Sequence, residues 1–233
     1  MSQAAAGVEA AIEAFREGEP VLVHDAADRE GETDLVYPAS AVTPEAVSRL
    51  RNDAGGLVCV ALSDAVADAF DLPFLGDALD HPASEAHELG YDERSSFSLP
   101  VNHRDTYTGI TDEDRALTIT KLAEAAREAQ RASEGASGET ASDPESVEFA
   151  AEFRSPGHVH LLRAAPNLLA DREGHTELGI ALAAAADREP AVVVCEMLDD
   201  ETGEALAPED AQAYAERYGL AYLEGSDVVE ALG

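Results

Sequence analysis

The amino-acid sequence predicts a layered fold in which helices cover a β-sheet. Hydrophobic residues make up 45% of the 233 residues, which is enough to form a buried core. Short apolar runs typical of buried strands alternate along the chain with segments that repeat apolar residues at helical spacing. The sequence contains no internal repeat. The length fits one large domain or two small ones, and we expect a single domain over residues 1–233.

The individual elements follow from local patterns. Val8, Ile12 and Phe15 are spaced as on one face of a helix, so residues 7–17 predict a helix. Helix patterns also cover residues 43–53, 112–132, 175–186, 208–219 and 226–233. Apolar runs predict strands over residues 21–25, 34–40, 56–62, 95–103, 158–164, 191–198 and 220–224. Residues 63–94 are rich in turn signals and give no clear prediction.

One segment has the composition of a flexible connection. Residues 133–147 are small, polar and acidic. They could mark a boundary between two domains. Because neither flanking half has a clearly separate core, we interpret them as a flexible acidic surface loop within one domain.

The charge balance excludes several classes of partner. The chain has 48 acidic against 15 basic residues, a formal net charge of −33. Binding to nucleic acid or to an anionic membrane needs clustered cations, so neither is expected. Lys121 is the only lysine, and such an acidic surface suits concentrated salt, where repulsion is screened within about 3 Å at 1 M. With no signal-peptide pattern and no long apolar run, we expect a cytoplasmic protein, from a halophile.

An acidic segment between two predicted strands is the first candidate site. If residues 28–34 are extended, the carboxylates of Glu30, Glu32 and Asp34 project to one side, because strand side chains alternate. Such a row can hold a hard divalent cation and leave one carboxylate as a base. Arg29 could clamp an anionic substrate. In a chain this acidic, the segment could equally be a solvated loop.

A second candidate lies where a predicted helix begins. Arg172 and Thr176 could grip a phosphate there, because the free amides of a helix start favour an anion. His175 between them could bind a metal through its neutral imidazole. The alternative is an ordinary helix cap with a surface histidine.

Three further positions could take part in chemistry. Glu196 ends a strongly apolar strand and should be partly buried, which suits a general acid or base, although it could simply reach solvent. His158 follows a Pro-Gly pair that predicts a turn, where a histidine is usually structural. Thr108 precedes a glycine and could contact phosphate, but Thr111 and Asp114 could instead form a helix cap.

Five blocks occur together in one order: DREGETDLVYPA, SSFSLPVNHRDTYTGITDEDRALTI, FRSPGHVHLLRA, REGHTE and VVVCEML. In this combination the sequence resembles the 3,4-dihydroxy-2-butanone 4-phosphate synthases of riboflavin biosynthesis, over residues 8–223. It is similar to the archaeal, monofunctional type, which lacks a GTP cyclohydrolase region. The resemblance implies an α+β fold, a single-domain three-layer α-β-α sandwich around a twisted mixed β-sheet. It also implies a homodimer with sites at the interface.

The resemblance further implies a reaction and its residues. D-Ribulose 5-phosphate becomes L-3,4-dihydroxy-2-butanone 4-phosphate and formate, with Mg²⁺ or Mn²⁺, two ions per site, and no organic cofactor. The implied metal ligands are Glu30 and His175. The implied substrate-binding residues are Arg29, Glu30, Asp34, Thr108, Arg172, His175 and Thr176. The implied catalytic residues are Glu32, His158 and Glu196, and Cys59 matches a cysteine near the site.

Two other functions fit the same residues. Another divalent-metal sugar-phosphate isomerase or lyase would need a similar site. A non-catalytic protein that binds a phosphate-bearing ligand would need only the phosphate-binding residues Arg172 and Thr176.

Overall fold

The computed structural model describes residues 3–25, 31–84, 94–135 and 149–233. Within these ranges the chain forms one seven-stranded sheet. The strands are β1 (Val21–His24), β2 (Thr33–Pro38), β3 (Cys59–Leu62), β4 (Phe97–His103), β5 (Phe153–Arg163), β6 (Ala191–Val194) and β7 (Ala221–Glu224). The helices are α1 (Gln3–Glu17), α2 (Pro44–Arg49), α3 (Asp64–Ala69), α4 (Leu75–Ala78), α5 (Asp112–Gly135), α6 (Phe149–Glu152), α7 (His175–Ala185), α8 (Pro208–Tyr218) and α9 (Gly225–Leu232).

The sheet is mixed, as expected. Its strand order is β4-β5-β3-β6-β2-β1-β7. Strand β3 runs parallel to β5, and β1 runs parallel to β7, whereas the other neighbouring pairs are antiparallel. The central strands β3, β6 and β2 therefore come from distant parts of the chain, and their ends bring distant side chains together.

Helices cover both faces of the sheet and bury two separate cores. On one face, α1, α7 and α9 pack residues such as Phe15 and Leu178 against the sheet. On the other face, α2, α3, α5 and α8 pack residues such as Ile119 and Leu161. Burying apolar area of this kind is the main favourable term in folding. The expected three-layer α-β-α sandwich is confirmed.

Local signals place the ends of several helices. Thr43 caps α2, because its Oγ1 accepts a hydrogen bond from the Ala46 amide at 3.2 Å. Helix α8 ends at Gly219, whose φ of 67° lies in the left-handed region that glycine adopts readily. None of the helices in the described ranges combines the length and the apolar character needed to cross a membrane.

Residues 63–94, which had no clear sequence prediction, contain the short helices α3 and α4, which are too short to show a clear apolar period. Two local predictions need correction. Residues 133–135 belong to the end of α5 and not to a loop, whereas 136–148 lie outside the described residues.

The predicted turn at Ser155–His158 was also wrong, because these residues belong to β5. Their strand departs from regular pairing with β4 and contains a cis peptide bond before Pro156. A Cβ on Gly157 would overlap the backbone of Val101, so only glycine permits this approach of β4 and β5. The Pro-Gly signal thus marks an irregular strand.

Candidate functional site

A polar cavity lies on the α7 side of the sheet. Its volume is about 90 Å³. It collects side chains from β2, β3, α7 and the segment after β6, together with the segments that precede β4 and α7. Its polar lining includes Asp34, Cys59, Ser96, Arg172, His175, Thr176 and Glu196. Most of the described residues that the sequence predicted for substrate, metal and catalysis therefore meet in one place.

The imidazole of His175 is presented to a carboxylate inside this cavity. Its Nε2 lies 3.2 Å from the carbonyl oxygen of Val23, and because that carbonyl can only accept, Nε2 carries the hydrogen. In the neutral form of the ring, Nδ1 then carries the lone pair, and Asp34 Oδ1 lies 3.6 Å from this atom. Both side chains are buried. A neutral imidazole nitrogen, fixed by a backbone carbonyl and facing a carboxylate oxygen, is a donor arrangement suited to a divalent cation.

The other predicted metal ligand, Glu30, lies outside the described residues, as does Arg29. Two residues on either side of this segment, Asp25 and Glu32, are joined by hydrogen bonds. The amide of Glu32 donates to Asp25 Oδ1 at 3.1 Å, and the amide of Asp25 donates to the Glu32 carbonyl at 3.1 Å. In the part of the chain that the structure describes, no three His, Cys, Asp or Glu side chains converge closely enough to hold an ion by themselves. His175 and Asp34 thus fit part of a metal shell, which needs a further ligand.

The guanidinium of Arg172 is held by two side chains. It contacts Ser96 Oγ and Glu177 Oε2, the latter at 3.3 Å. Glu177 is fully buried and also accepts a hydrogen bond from the Ala165 amide at 2.9 Å. Burial raises the pKa of Glu177, and the nearby charge of Arg172 opposes that shift. A planar guanidinium held in place at a cavity wall is a group suited to binding an anion.

Thr176 lines the same cavity as Arg172 and lies in the first turn of α7. The residue before the helix is Gly174, which has no side chain to cap the first amides. A helix start of this kind favours a bound anion. Arg172 and Thr176 therefore line the cavity together, as the predicted phosphate-binding site requires. The alternative of a surface histidine at this helix start is wrong, because His175 is buried.

Glu196 is half-buried, as predicted, and is held just beyond the end of β6. Its Oε2 accepts a hydrogen bond from the Leu57 amide at 2.8 Å, and its carbonyl accepts one from the Gly56 amide at 3.0 Å. A Cβ on residue 56 would lie 2.5 Å from Glu196 Oε2, so glycine is needed there. Glu196 also pairs with Asp34 as an isolated antiparallel bridge, which sets two carboxylates side by side in the cavity.

Cys59 is buried beneath this pair of carboxylates. Burial raises the pKa of its thiol well above the ordinary value, and the charge of Glu196 adds to that rise. The thiol is therefore neutral and unreactive as a nucleophile near pH 7. Cys59 contributes packing at the cavity wall.

His158 and Thr108 form a second group, joined by Asn102. The backbone amide of His158 donates to Asn102 Oδ1 at 2.8 Å, which fixes the orientation of that amide group. Asn102 Nδ2 then donates to His158 Nδ1 at 3.2 Å and to the Thr108 carbonyl at 3.3 Å. In neutral His158 the hydrogen is therefore on Nε2. Both His158 and Thr108 are exposed, and neither lines the cavity of His175.

The loop around Thr108 is organised by Asp114. This carboxylate accepts hydrogen bonds from the amides of Tyr107, Thr108 and Gly109, which lower its pKa, the bond from Gly109 contributing most. The Asp114 amide in turn donates to Thr111 Oγ1 at 3.1 Å. The capping interaction of Thr111 with Asp114 is therefore present, and the amides of residues 107–109 are bonded to Asp114, whereas a phosphate contact by Thr108 stays a prediction.

Several supporting residues were not singled out from the sequence. They are Asp25, Ser96, Asn102 and Glu177. Asp25 ends an apolar strand and Glu177 follows the Thr176 signal, so both had a local clue. Ser96 and Asn102 lie within a predicted strand, where nothing local indicates their partners.

Comparison with known proteins identifies the family. The family model described as 3,4-dihydroxy-2-butanone 4-phosphate synthase matches residues 9–231. The chain belongs to this family. It is 47% identical over 231 residues to the 3,4-dihydroxy-2-butanone 4-phosphate synthase of Archaeoglobus fulgidus, covering 95% of this chain and 92% of that protein. The synthase of Methanosarcina mazei is also 47% identical, covering 95% of this chain and 89% of its own length.

Solved structures of the family agree with the fold. A 3,4-dihydroxy-2-butanone 4-phosphate synthase crystallised in complex with two magnesium ions superposes with a TM-score of 0.76 at 30% identity. The match covers 96% of this chain and 95% of that structure. The family resemblance noted in the sequence and the expected fold class are confirmed.

Proposed function

We propose that the chain converts D-ribulose 5-phosphate into L-3,4-dihydroxy-2-butanone 4-phosphate and formate, a step of riboflavin biosynthesis that depends on a divalent metal. The observation that carries this proposal is the meeting, in one cavity, of the His175–Asp34 pair and the Arg172–Thr176 pair. The first pair suits a divalent cation and the second suits a phosphate. A metal beside a phosphate anchor is what the family's activity requires.

The metal site is assigned to Glu30 and His175, with Mg²⁺ or Mn²⁺ as the ion, two ions per site, and no organic cofactor. The fixed Nε2–H of His175 supports this role, because it leaves Nδ1 as the ligand atom. A bound divalent ion would stabilise negative charge on the substrate's vicinal oxygens during enolisation. Arg29 and Asp34 are assigned to the sugar hydroxyl groups, and Asp34 lies at the same time beside the metal ligand His175.

The phosphate is assigned to Arg172 and Thr176, with Thr108 as a further contact. Anchoring a phosphate away from the reacting carbons lets binding energy orient those carbons. Ser96 and the buried Glu177 hold the Arg172 guanidinium in place for this purpose.

Proton transfer is assigned to Glu32, His158 and Glu196. The Leu57 amide holds one oxygen of Glu196, so that its other oxygen can face the substrate. Asn102 holds the ring of His158 with Nε2 pointing away from the Asn102 side chain. Both groups are thus oriented by neighbours, as catalytic acids and bases require.

We assign the active form to a homodimer with its sites at the interface. His158 and Thr108 are exposed and lie outside the cavity of His175. The loop of Thr108 also exposes apolar side chains, including Tyr107, which is 94% exposed. A second subunit would cover this surface and bring the His158 group of one subunit to the cavity of the other. A cytoplasmic location and adaptation to concentrated salt stay predictions from the composition.

Formate release tests the function directly. The purified protein, given ribulose 5-phosphate and Mg²⁺ in molar KCl, is expected to release one formate per molecule of sugar phosphate consumed, and chelation with EDTA should abolish this. Formate is measured with formate dehydrogenase, and the four-carbon product by mass spectrometry. Conversion to an isomeric pentose phosphate without formate would indicate another isomerase or lyase. Binding without turnover would indicate a non-catalytic protein.

Complementation between two inactive variants tests the shared site. His158→Ala and His175→Ala are each expected to be inactive, because each removes one part of both sites. The heterodimer, isolated after co-expression with two different affinity tags, should regain about half of the wild-type activity, since one of its two sites is then intact. A heterodimer as inactive as its parents would mean that the two histidines act within one subunit.

A further inference from the structure

A second, larger cavity adjoins the first at Arg94, Ser96 and Arg172, which line both. Its volume is about 610 Å³, and its walls include Phe74 and Arg163. Three guanidinium groups, those of Arg94, Arg163 and Arg172, therefore surround one opening. In a chain with 15 basic and 48 acidic residues, this concentration of positive charge needs an explanation.

Two of the three guanidinium groups are engaged by carboxylates. Arg163 pairs with Asp64 at 2.6 Å and with Asp68 at 2.5 Å. Arg172 pairs with Glu177. The charge of Arg163 is therefore paired with two carboxylates of the fold, and Arg172 belongs to the candidate site described above.

Arg94 is different. Its guanidinium lies over an aromatic ring, with Cζ 3.5 Å from the centroid of Phe74. No carboxylate among the described residues lies within ion-pairing distance of it. Stacking on a ring leaves the in-plane N–H donors of an arginine able to bind an anion. The side chain is exposed at the junction of the two cavities.

The backbone beside Arg94 is fixed relative to the site. The Arg163 amide donates to the carbonyl of Ser96 at 2.9 Å, and Phe97 pairs with Leu162 where β4 begins. Ser96 is also the residue whose hydroxyl contacts Arg172. Arg94 thus lies two residues before Ser96, and Ser96 contacts Arg172, which is assigned to the phosphate.

We propose that Arg94 is a substrate-binding and specificity residue for the phosphate of the substrate, adding a second guanidinium to that of Arg172. This inference rests on the proposed function and deepens it. In molar salt, the repulsion exerted by the net charge of −33 and the attraction exerted by distant cations are both screened within about 3 Å. Only groups in direct contact with the phosphate then add to its affinity, and Arg94, which lines both cavities together with Arg172, is placed to make such a contact.

The matched variants are Arg94→Met and Arg131→Met. Both remove one positive charge and keep an unbranched stem, but Arg131 lies on the exposed surface of α5, away from the site. For Arg94→Met, we expect the KM for ribulose 5-phosphate and the Ki for inorganic phosphate each to rise about 10-fold, as for loss of a charge-assisted hydrogen bond, with kcat changed much less. Arg94→Lys should recover part of both losses, and Arg131→Met should resemble the wild type.

Direct titration of inorganic phosphate separates this inference from the proposed function. It needs no turnover, so weaker phosphate binding by Arg94→Met supports the inference even if no formate is ever released. Equal phosphate affinity in the wild type, Arg94→Met and Arg131→Met would overturn it. If Arg94→Met lowers the unfolding temperature, the comparison uses Arg94→Lys, whose phosphate affinity should lie below that of the wild type and above that of Arg94→Met. A phosphate affinity and a KM of Arg94→Lys equal to those of the wild type would then overturn the inference.

Discussion

Replacing His175 by glutamine is expected to lower kcat/KM for ribulose 5-phosphate about 1,000-fold, because it removes the imidazole Nδ1 near Asp34 that we propose as a metal ligand. The same variant should bind Mn²⁺ more weakly, which is measured from the EPR signal of the free ion during titration. The fold should survive, since glutamine can still donate towards the Val23 carbonyl.

His81→Gln is the matched control for this substitution. His81 is exposed and lies outside the cavity, so both Mn²⁺ affinity and activity should equal those of the wild type. If His175→Gln bound Mn²⁺ as tightly as His81→Gln does, the assignment of His175 to the metal would be wrong.

Replacing Arg172 by methionine is expected to have two separable effects. Binding of the sugar phosphate should weaken about 100-fold, because a guanidinium contact to a dianion is removed. Folding should lose about 3 kcal/mol, because the fully buried carboxylate of Glu177 loses its charged partner. Kinetics measures the first effect and urea unfolding the second.

The double variant Arg172→Met/Glu177→Gln separates these two effects. Removing the buried charge together with its partner should restore most of the lost stability, since a neutral amide can still accept from the Ala165 amide. Binding of the sugar phosphate should stay weak. Recovery of substrate binding in the double variant would show that Arg172 acts only by neutralising Glu177.

The parts of the site that follow from local signals could be predicted from the sequence. His175 and Thr176 lie at a helix start, which neighbouring residues encode. Glu196 ends an apolar strand, so its partial burial followed from the run before it.

The parts that depend on sheet order could not be predicted from local patterns. Strand β6 lies between β3 and β2, and this order places Glu196 beside Asp34 and next to the Leu57 amide. Likewise, Ser96 reaches Arg172 only because β4 and β5 pair at the edge of the sheet. No periodicity within a single segment records which strands become neighbours.

The irregular start of β5 shows a different limit. Proline and glycine usually mark turns, and the Pro156–Gly157 pair predicted one. In the fold, the same two residues allow a close strand approach that carries His158 to Asn102. Tertiary packing here overrides a local signal.

The most direct test of the account is pulsed EPR on the Mn²⁺-loaded protein with ¹⁵N-labelled histidine. The account predicts a ¹⁵N coupling to the bound Mn²⁺ that is present in the wild type and in His81→Gln and absent in His175→Gln. A bound Mn²⁺ with no histidine nitrogen coupling in the wild type, or a coupling that survives in His175→Gln, would contradict it.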